Sequence, residues 1–322
     1  MKTIKTLLFL GLLAAIQACN PNDEPALDVN SVNPPDSRFE LERFLASGRE
    51  PMQEFTFDAS TPQEIRGEEG TLLRIPANAF VHPSGTPITG TVQVRLREMY
   101  SPGDLIFNNA ATVSNGQILS SGGSFELEVQ QNGQDLRLAT NAQIGVQVPT
   151  DSVDPNMQLF TARGRDTANQ VAWQPQNVAV ADTVRDTTGT WGGGLDTLYS
   201  FNLNSLFRFI NCDYFWNDPR PLTEVKIQVD SAMSYSDTRV LVYLPSVNAM
   251  VAVTTFASPY FLINAGYRLP VGINAFFIAI HVDNLGLYHY AIQQNTVSQN
   301  HLEVMNFQTI TQSQLTTLLQ NL

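Results

Sequence analysis

The chain reads as an all-β protein of two antiparallel β-sandwich-like domains, closed by a short C-terminal helix. Three observations predict this. Residues 91–97 place Val92, Val94 and Leu96 on one face, and Phe125, Leu127 and Val129 alternate with Glu126, Glu128 and Gln130 in the same period of two. Asn132-Gly133 then supplies residues that tolerate positive φ, and Leu136 and Leu138 resume the apolar face, which is the pattern of a hairpin. Only 15% of residues are charged while Thr, Asn, Gln and Ser abound, a balance that suits strands and turns better than helices. Two-faced strands joined by tight turns imply antiparallel sheets rather than βαβ units, and 322 residues exceed one average domain.

Residues 1–18 have the form of a signal peptide. Lys2 and Lys5 precede an apolar stretch from Leu7 to Ile16. As a helix that stretch rises only about 15 Å, half of a ~30 Å hydrocarbon core, so it cannot span a membrane. Ile16-Gln17-Ala18-Cys19 resembles the lipobox of bacterial lipoproteins, with Gln17 an unusual middle residue. The resemblance implies cleavage before Cys19, a diacylglyceryl group on its sulfur and a stable anchor of several acyl chains, palmitate among them. An ordinary signal peptide cut after Ala18 would instead leave Cys19 a plain thiol. Asp23-Glu24 resembles the signal that sends lipoproteins of the Bacteroidota to the cell exterior, although Asn20, Pro21 and Asn22 intervene. The implied address is the outer membrane, on its surface or its periplasmic face.

Residues 19–50, with Pro21, Pro25, Pro34 and Pro35, read as the lipid anchor and a flexible tether, with a short helical turn over residues 39–45. Residues 51–175 read as the first sandwich. It contains the strand of Ala142, Ile144, Val146 and Val148, one helical turn over residues 102–107, and a closing hairpin with its tip at Gly164-Arg165-Asp166. Glycines at 189 and 192–194 mark residues 176–196 as a linker, either pinned to one domain by Trp191 or wholly disordered. Residues 197–322 read as the second β domain, with strands over 225–229, 239–244, 250–256, 275–283, 287–293 and 302–307. Thr311 is the expected N-cap of a final helix carrying Leu315, Leu318, Leu319 and Leu322, which would cover a sheet edge or end.

Residues 1–18 hold two lysines and no acid, so the remainder carries a net charge of −14 against −12 for the whole chain. An acidic chain repels nucleic acid and anionic headgroups, and neither is an expected partner surface. With Cys19 acylated, Cys212 has no partner within the chain and reads as a buried small hydrophobe.

The candidate metal site is a histidine pair. Asp283-Asn284-Leu285-Gly286 fits a turn ending in a left-handed glycine that pairs residue 283 with 287, so His281 faces His289. The opposite face then becomes Phe276, Ile278, Ile280 and Val282 against Tyr288, Tyr290 and Ile292, an apolar surface that a one-residue slip would destroy. Facing imidazoles at ~5 Å can share Zn²⁺ or Cu²⁺, but two ligands without a third are weak evidence, and a partly exposed cross-strand pair is the preferred reading. Residues 182–186 and 217–218 lack the ligand spacing of a calcium loop, and residues 120–124 are no nucleophile elbow. Tyr214, Phe215 and Trp216 with Tyr260 and Phe261 offer an aromatic platform for sugar or peptide, or simply core.

Residues 70–80 and 85–92 resemble a segment of uncharacterised Bacteroidota surface proteins and, more distantly, the β-sandwich module of zonula occludens proteins, ankyrins and netrin receptors. There a strand ending as at Ile75-Pro76 leads into a small-residue turn. Asn211-Cys212-Asp213 between aromatics resembles a motif in the same lipoproteins. Neither resemblance supplies catalytic residues. The expectation is a membrane-anchored protein that binds a protein or glycan partner or serves envelope architecture, without catalysis or cofactor. The alternatives are a subunit of an envelope complex, or a hydrolase using Glu98, Asp104, Glu126 or Glu128. Glu126 and Glu128 lie on one strand face about 7 Å apart, whereas a retaining pair needs ~5 Å across a cleft.

Overall fold

The computed structural model describes residues 36–150, 153–180, 197–263 and 267–322. Cys19, the leader and Trp191 lie outside them. The fold is all-β, and among the described residues its sheets are antiparallel except for one parallel pair, Val225–Gln228 with His301–Val304.

The first sandwich pairs a broad sheet with a small one. The broad sheet runs, in spatial order, Gln53–Asp58, Thr91–Met99, Gln117–Gln131, Phe209–Phe215, Gln158–Ala162 and Gln174–Ala179. The small sheet runs Thr197–Leu203, Ile144–Thr150, Leu72–Ile75 and Gln63–Arg66. Val92, Val94, Leu96, Phe125, Leu127 and Val129, the alternating residues of the sequence, bury between the two with Ile144, Val146 and Val148 opposite. The second sandwich stacks Thr255–Ala257, Tyr260–Ile263, Val225–Gln228 and His301–Val304 on a sheet of Ala249–Ala252, Thr238–Leu244, Asn274–Val282, Tyr288–Thr296 and Gln308–Ile310. Its core holds Ile227, Val240, Val242, Phe261, Phe277 and Ala279.

A third core lies between the two sandwiches and is filled by helices. α1 (Ser37–Ser47) contributes Leu41, Phe44 and Leu45, α2 (Pro102–Phe107) Leu105, Ile106 and Phe107, and α3 (Gln312–Gln320) Leu315 and Leu319. They meet Leu119, Phe160 and Phe209 from the broad sheet and Leu241, Ile278 and Ile280 from the second sandwich. Each helix begins on a side-chain cap: Asp36 accepts from the Arg38 amide, and Ser101 with Asp104 and Thr311 with Gln314 form capping boxes. Gly48 ends α1 where any Cβ would fall 2.1 Å from the Phe107 ring. Gly103 lets α2 approach the α3 backbone, where a Cβ would lie 2.5 Å from the Leu319 carbonyl oxygen.

Three boundaries differ from the sequence reading. The described end of the expected tether is a packed helix, because Leu41, Phe44 and Leu45 fall on one face and bury completely. Residues 176–179 of the expected linker belong to the Gln174–Ala179 strand, while residues 181–196 lie outside the described part. The second domain does not begin at residue 197. Thr197–Leu203 pairs with Ile144–Thr150, and Phe209–Phe215 inserts between Gln117–Gln131 and Gln158–Ala162, so the chain completes the first sandwich before entering the second. Pro35–Leu322 accordingly forms one compact unit.

Candidate functional site

The Phe209–Phe215 strand outruns its neighbour. Gln158 pairs with Asp213, and beyond that point Tyr214 and Phe215 pair only with Ser120 and Leu119 on their other side. Asp154 turns the preceding chain away by accepting from the backbone and side-chain nitrogens of Asn156, both at 2.8 Å. The result is an open cleft of about 730 Å³ lined by Pro155, Asn156, Met157, Gln158, Tyr214, Phe215 and Asn217. Its lining has aromatic faces and three amide side chains but no charge.

The five-ring aromatic platform is not assembled. Successive strand residues point to opposite faces, so Tyr214 packs on the first sandwich core and Phe215 on the helical core, where it meets Phe160 edge-on at 5.3 Å. Trp216 and the fully buried Phe261 belong to the second sandwich core. Only Tyr214 and Phe215 of the five line the cleft.

The four candidate carboxylates are each occupied elsewhere. Glu98 is buried and accepts from the amides of Glu69 at 2.8 Å and Thr71 at 2.7 Å and from Gln53 at 3.1 Å. Asp104 closes the α2 capping box. Glu126 is gripped by Arg97 at 2.5 Å and Arg208 at 2.7 Å, and Glu128 by Arg95 at 2.7 Å and Arg208. None of the four lines the cleft. Near Glu98, burial, then Asp104 and Glu98, push the Glu69 carboxyl up to about 7.

His281 and His289 do face each other in the expected register, with Gly286 at φ 78° and ring centroids 5.6 Å apart. Both line a groove of about 520 Å³ with Met233, Met305 and Phe307. Three of their four ring nitrogens are already engaged. His281 Nδ1 lies 3.0 Å from Thr238 Oγ1 and 3.2 Å from the Asp237 carbonyl oxygen. His289 Nε2 lies 3.0 Å from Asp283 and its Nδ1 3.2 Å from Thr309. Burial holds the His281 imidazolium below its usual range, against the opposing pull of Asp237. Among the described residues no group of three or more His, Cys, Asp or Glu is placed to hold a metal ion. The third histidine of this region, His301, stacks on Phe277 and binds the buried Glu303 at 3.0 Å, which Asn295 also holds.

Cys212 is buried in the first sandwich core, and desolvation pushes its thiol well above the ordinary range, which suppresses thiolate chemistry. Its neighbour Asp213 belongs to the Asn211-Cys212-Asp213 motif, but its burial is not expected from the sequence. Asp213 is wholly buried; one oxygen accepts from Asn211 Nδ2 at 2.6 Å and the other has no partner. Asn211 and Asp213 alternating with Ile210 and Cys212 signal a solvent face, but Phe209 and Phe215 on that same face pack into the core between the two sandwiches and it is interior. Burial pushes the Asp213 carboxyl well above its ordinary 3.8, against the opposing pull of Ser121. The folded state therefore holds this proton more tightly than the unfolded state. The group's contribution to stability is complete below about pH 3.8 and is lost as pH rises toward the folded value. Asp213→Asn should gain stability over the parent at about pH 8 and lose that advantage at about pH 4, read from urea midpoints. Parallel pH profiles for the two proteins would refute a protonated Asp213.

No helix among the described residues is long and apolar enough to cross a membrane. No protein-family model matches the chain, and no curated protein sequence matches it.

Proposed function

We propose that this is a lipid-anchored envelope protein, held at the outer membrane through Cys19, that binds a neutral glycan in the cleft beside Tyr214 and Phe215. The observation that carries the reading is the cleft lining: two aromatic side chains with Asn156, Gln158 and Asn217 and no ionised group. Sugars present apolar C–H faces to aromatic rings and a belt of hydroxyls that amides can both donate to and accept from. An uncharged lining in an acidic chain imposes no desolvated charge on a neutral ligand. The leader and Cys19 support the address, and the duties of Glu98, Asp104, Glu126 and Glu128 favour binding over hydrolysis.

Two measurements test this. Cells fed an alkyne-bearing palmitate should label the protein, and Cys19→Ala should abolish the label; a labelled Cys19→Ala chain would refute the anchor. The mature chain should bind oligosaccharides on a glycan array, and Tyr214→Ala should weaken that binding about tenfold, the equivalent of ~1.4 kcal/mol. Binding indifferent to Tyr214, or no glycan bound at all, would remove the cleft from the argument and leave an architectural role.

A further inference from the structure

Fifteen of the eighteen basic residues of the chain are arginines, and four of them converge away from the cleft. Arg49 follows α1, Arg97 lies on the Thr91–Met99 strand, Arg165 sits at the tip after Gln158–Ala162, and Arg208 precedes Phe209–Phe215. Their contacts interlock. Arg97 and Arg165 both donate to Asn108, and Arg49 Nε donates to the adjacent Phe107 carbonyl at 3.0 Å. Arg97 and Arg208 share Glu126, and the guanidinium groups of Arg165 and Arg208 lie 4.9 and 6.0 Å from the Phe209 ring centroid.

The cluster is short of negative charge. Arg97 and Arg208 pair with Glu126, Arg208 shares Glu128 with Arg95, and the nearby Glu42 is held by Arg239 at 2.6 Å, which leaves two of the four guanidinium groups without a carboxylate. Arg49 and Arg165 have backbone carbonyls as acceptors and no carboxylate partner among the described residues. Among the described residues, both terminal nitrogens of Arg49, Nε and Nη2 of Arg165 and Nη2 of Arg97 meet no acceptor, yet none is sealed from solvent. Burial, and then the mutual repulsion of these arginines, lowers Arg49 and brings Arg165 down to about 10. Capping the last carbonyls of α2 accounts for one nitrogen on Arg49 and one on Arg165. It does not account for the concentration of like charge in an acidic protein.

We propose that Arg49, Arg97, Arg165 and Arg208 form a binding site for a phosphate monoester dianion, separate from the cleft. The planar forks of guanidinium groups match the paired oxygens of a phosphoryl group, and a dianion offsets the local excess where one carboxylate would not. The phosphoryl group is either free phosphate or one carried on a sugar.

Isothermal titration of the mature chain at low ionic strength, with inorganic phosphate and separately with glucose 1-phosphate, tests the site. Saturable binding at a dissociation constant of about 1 mM or tighter is expected. Arg49→Ala and Arg165→Ala should each weaken it about tenfold, whereas Arg137→Ala, exposed on the short Arg137–Leu138 strand, should not. Arg165→Lys keeps the charge but loses the fork; it should weaken binding with an unchanged melting temperature, which separates recognition from folding. Tighter binding of the sugar phosphate assigns a glycan-borne ligand, and equal or tighter binding of inorganic phosphate assigns the free anion. Absence of saturation by about 10 mM of either anion, or equal affinity in the arginine variants, would overturn the proposal.

Discussion

Phe44→Ala will destabilise the folded chain by about 3–5 kcal/mol. Phe44 is fully buried on α1, edge-on to Phe107 of α2 at 5.8 Å and 5.1 Å from the ring of Tyr288 in the second sandwich. Truncation opens a cavity bounded by a helix and a sheet that are each held by other contacts, so it cannot readily collapse. Leu318, on the same final helix as the buried Leu315 and Leu319, is not part of any core, and Leu318→Ala should cost far less. Chemical denaturation of both variants checks the contrast. A loss below about 1 kcal/mol for Phe44→Ala would mean that the helical layer merely decorates two independently stable sandwiches.

Glu126→Ala ranks second, with an expected loss of about 3 kcal/mol. Glu126 is 2% exposed and answers two guanidinium groups, and among the described residues Arg97 has no other carboxylate partner. Removing one member of a buried pair leaves the other desolvated and unpaired, which is worse than never having built the pair. Glu126→Gln, which keeps the shape and drops the charge, should fall between alanine and the parent. The double change Glu126→Leu with Arg97→Met should recover much of the loss, because neither charge is then stranded. Additive losses in that double variant, measured by thermal melting, would show that Glu126 and Arg97 are not coupled.

What the sequence made legible depended on local rules with a single physical solution. The His281–His289 register could be read because the left-handed Gly286 and the apolar face of Ile278 and Ile280 agree on one pairing. The α3 cap at Thr311 could be read because hydroxyl and Gln314 satisfy each other within one turn. The layer containing α1 could not. Leu41, Phe44 and Leu45 have helical spacing, but their value comes from two sheet faces built elsewhere in the chain. The domain boundary failed for a related reason: glycines end an element without saying which sheet the next strand will join. Asp213 and the arginine cluster were hidden because alternation marks a polar face and does not say whether that face is later covered or crowded with like charges.

The position of α1 has a mechanical consequence. Any pull delivered through the chain before Asp36 enters the body at its middle layer, not at the outer sheet of the first sandwich. Extracting α1 requires Leu41, Phe44 and Leu45 to slide out from between two sheets together, a shearing load, whereas an edge strand would peel one hydrogen bond at a time. A protein tethered there hangs from its waist. A load applied there falls first on the layer that both sandwiches share.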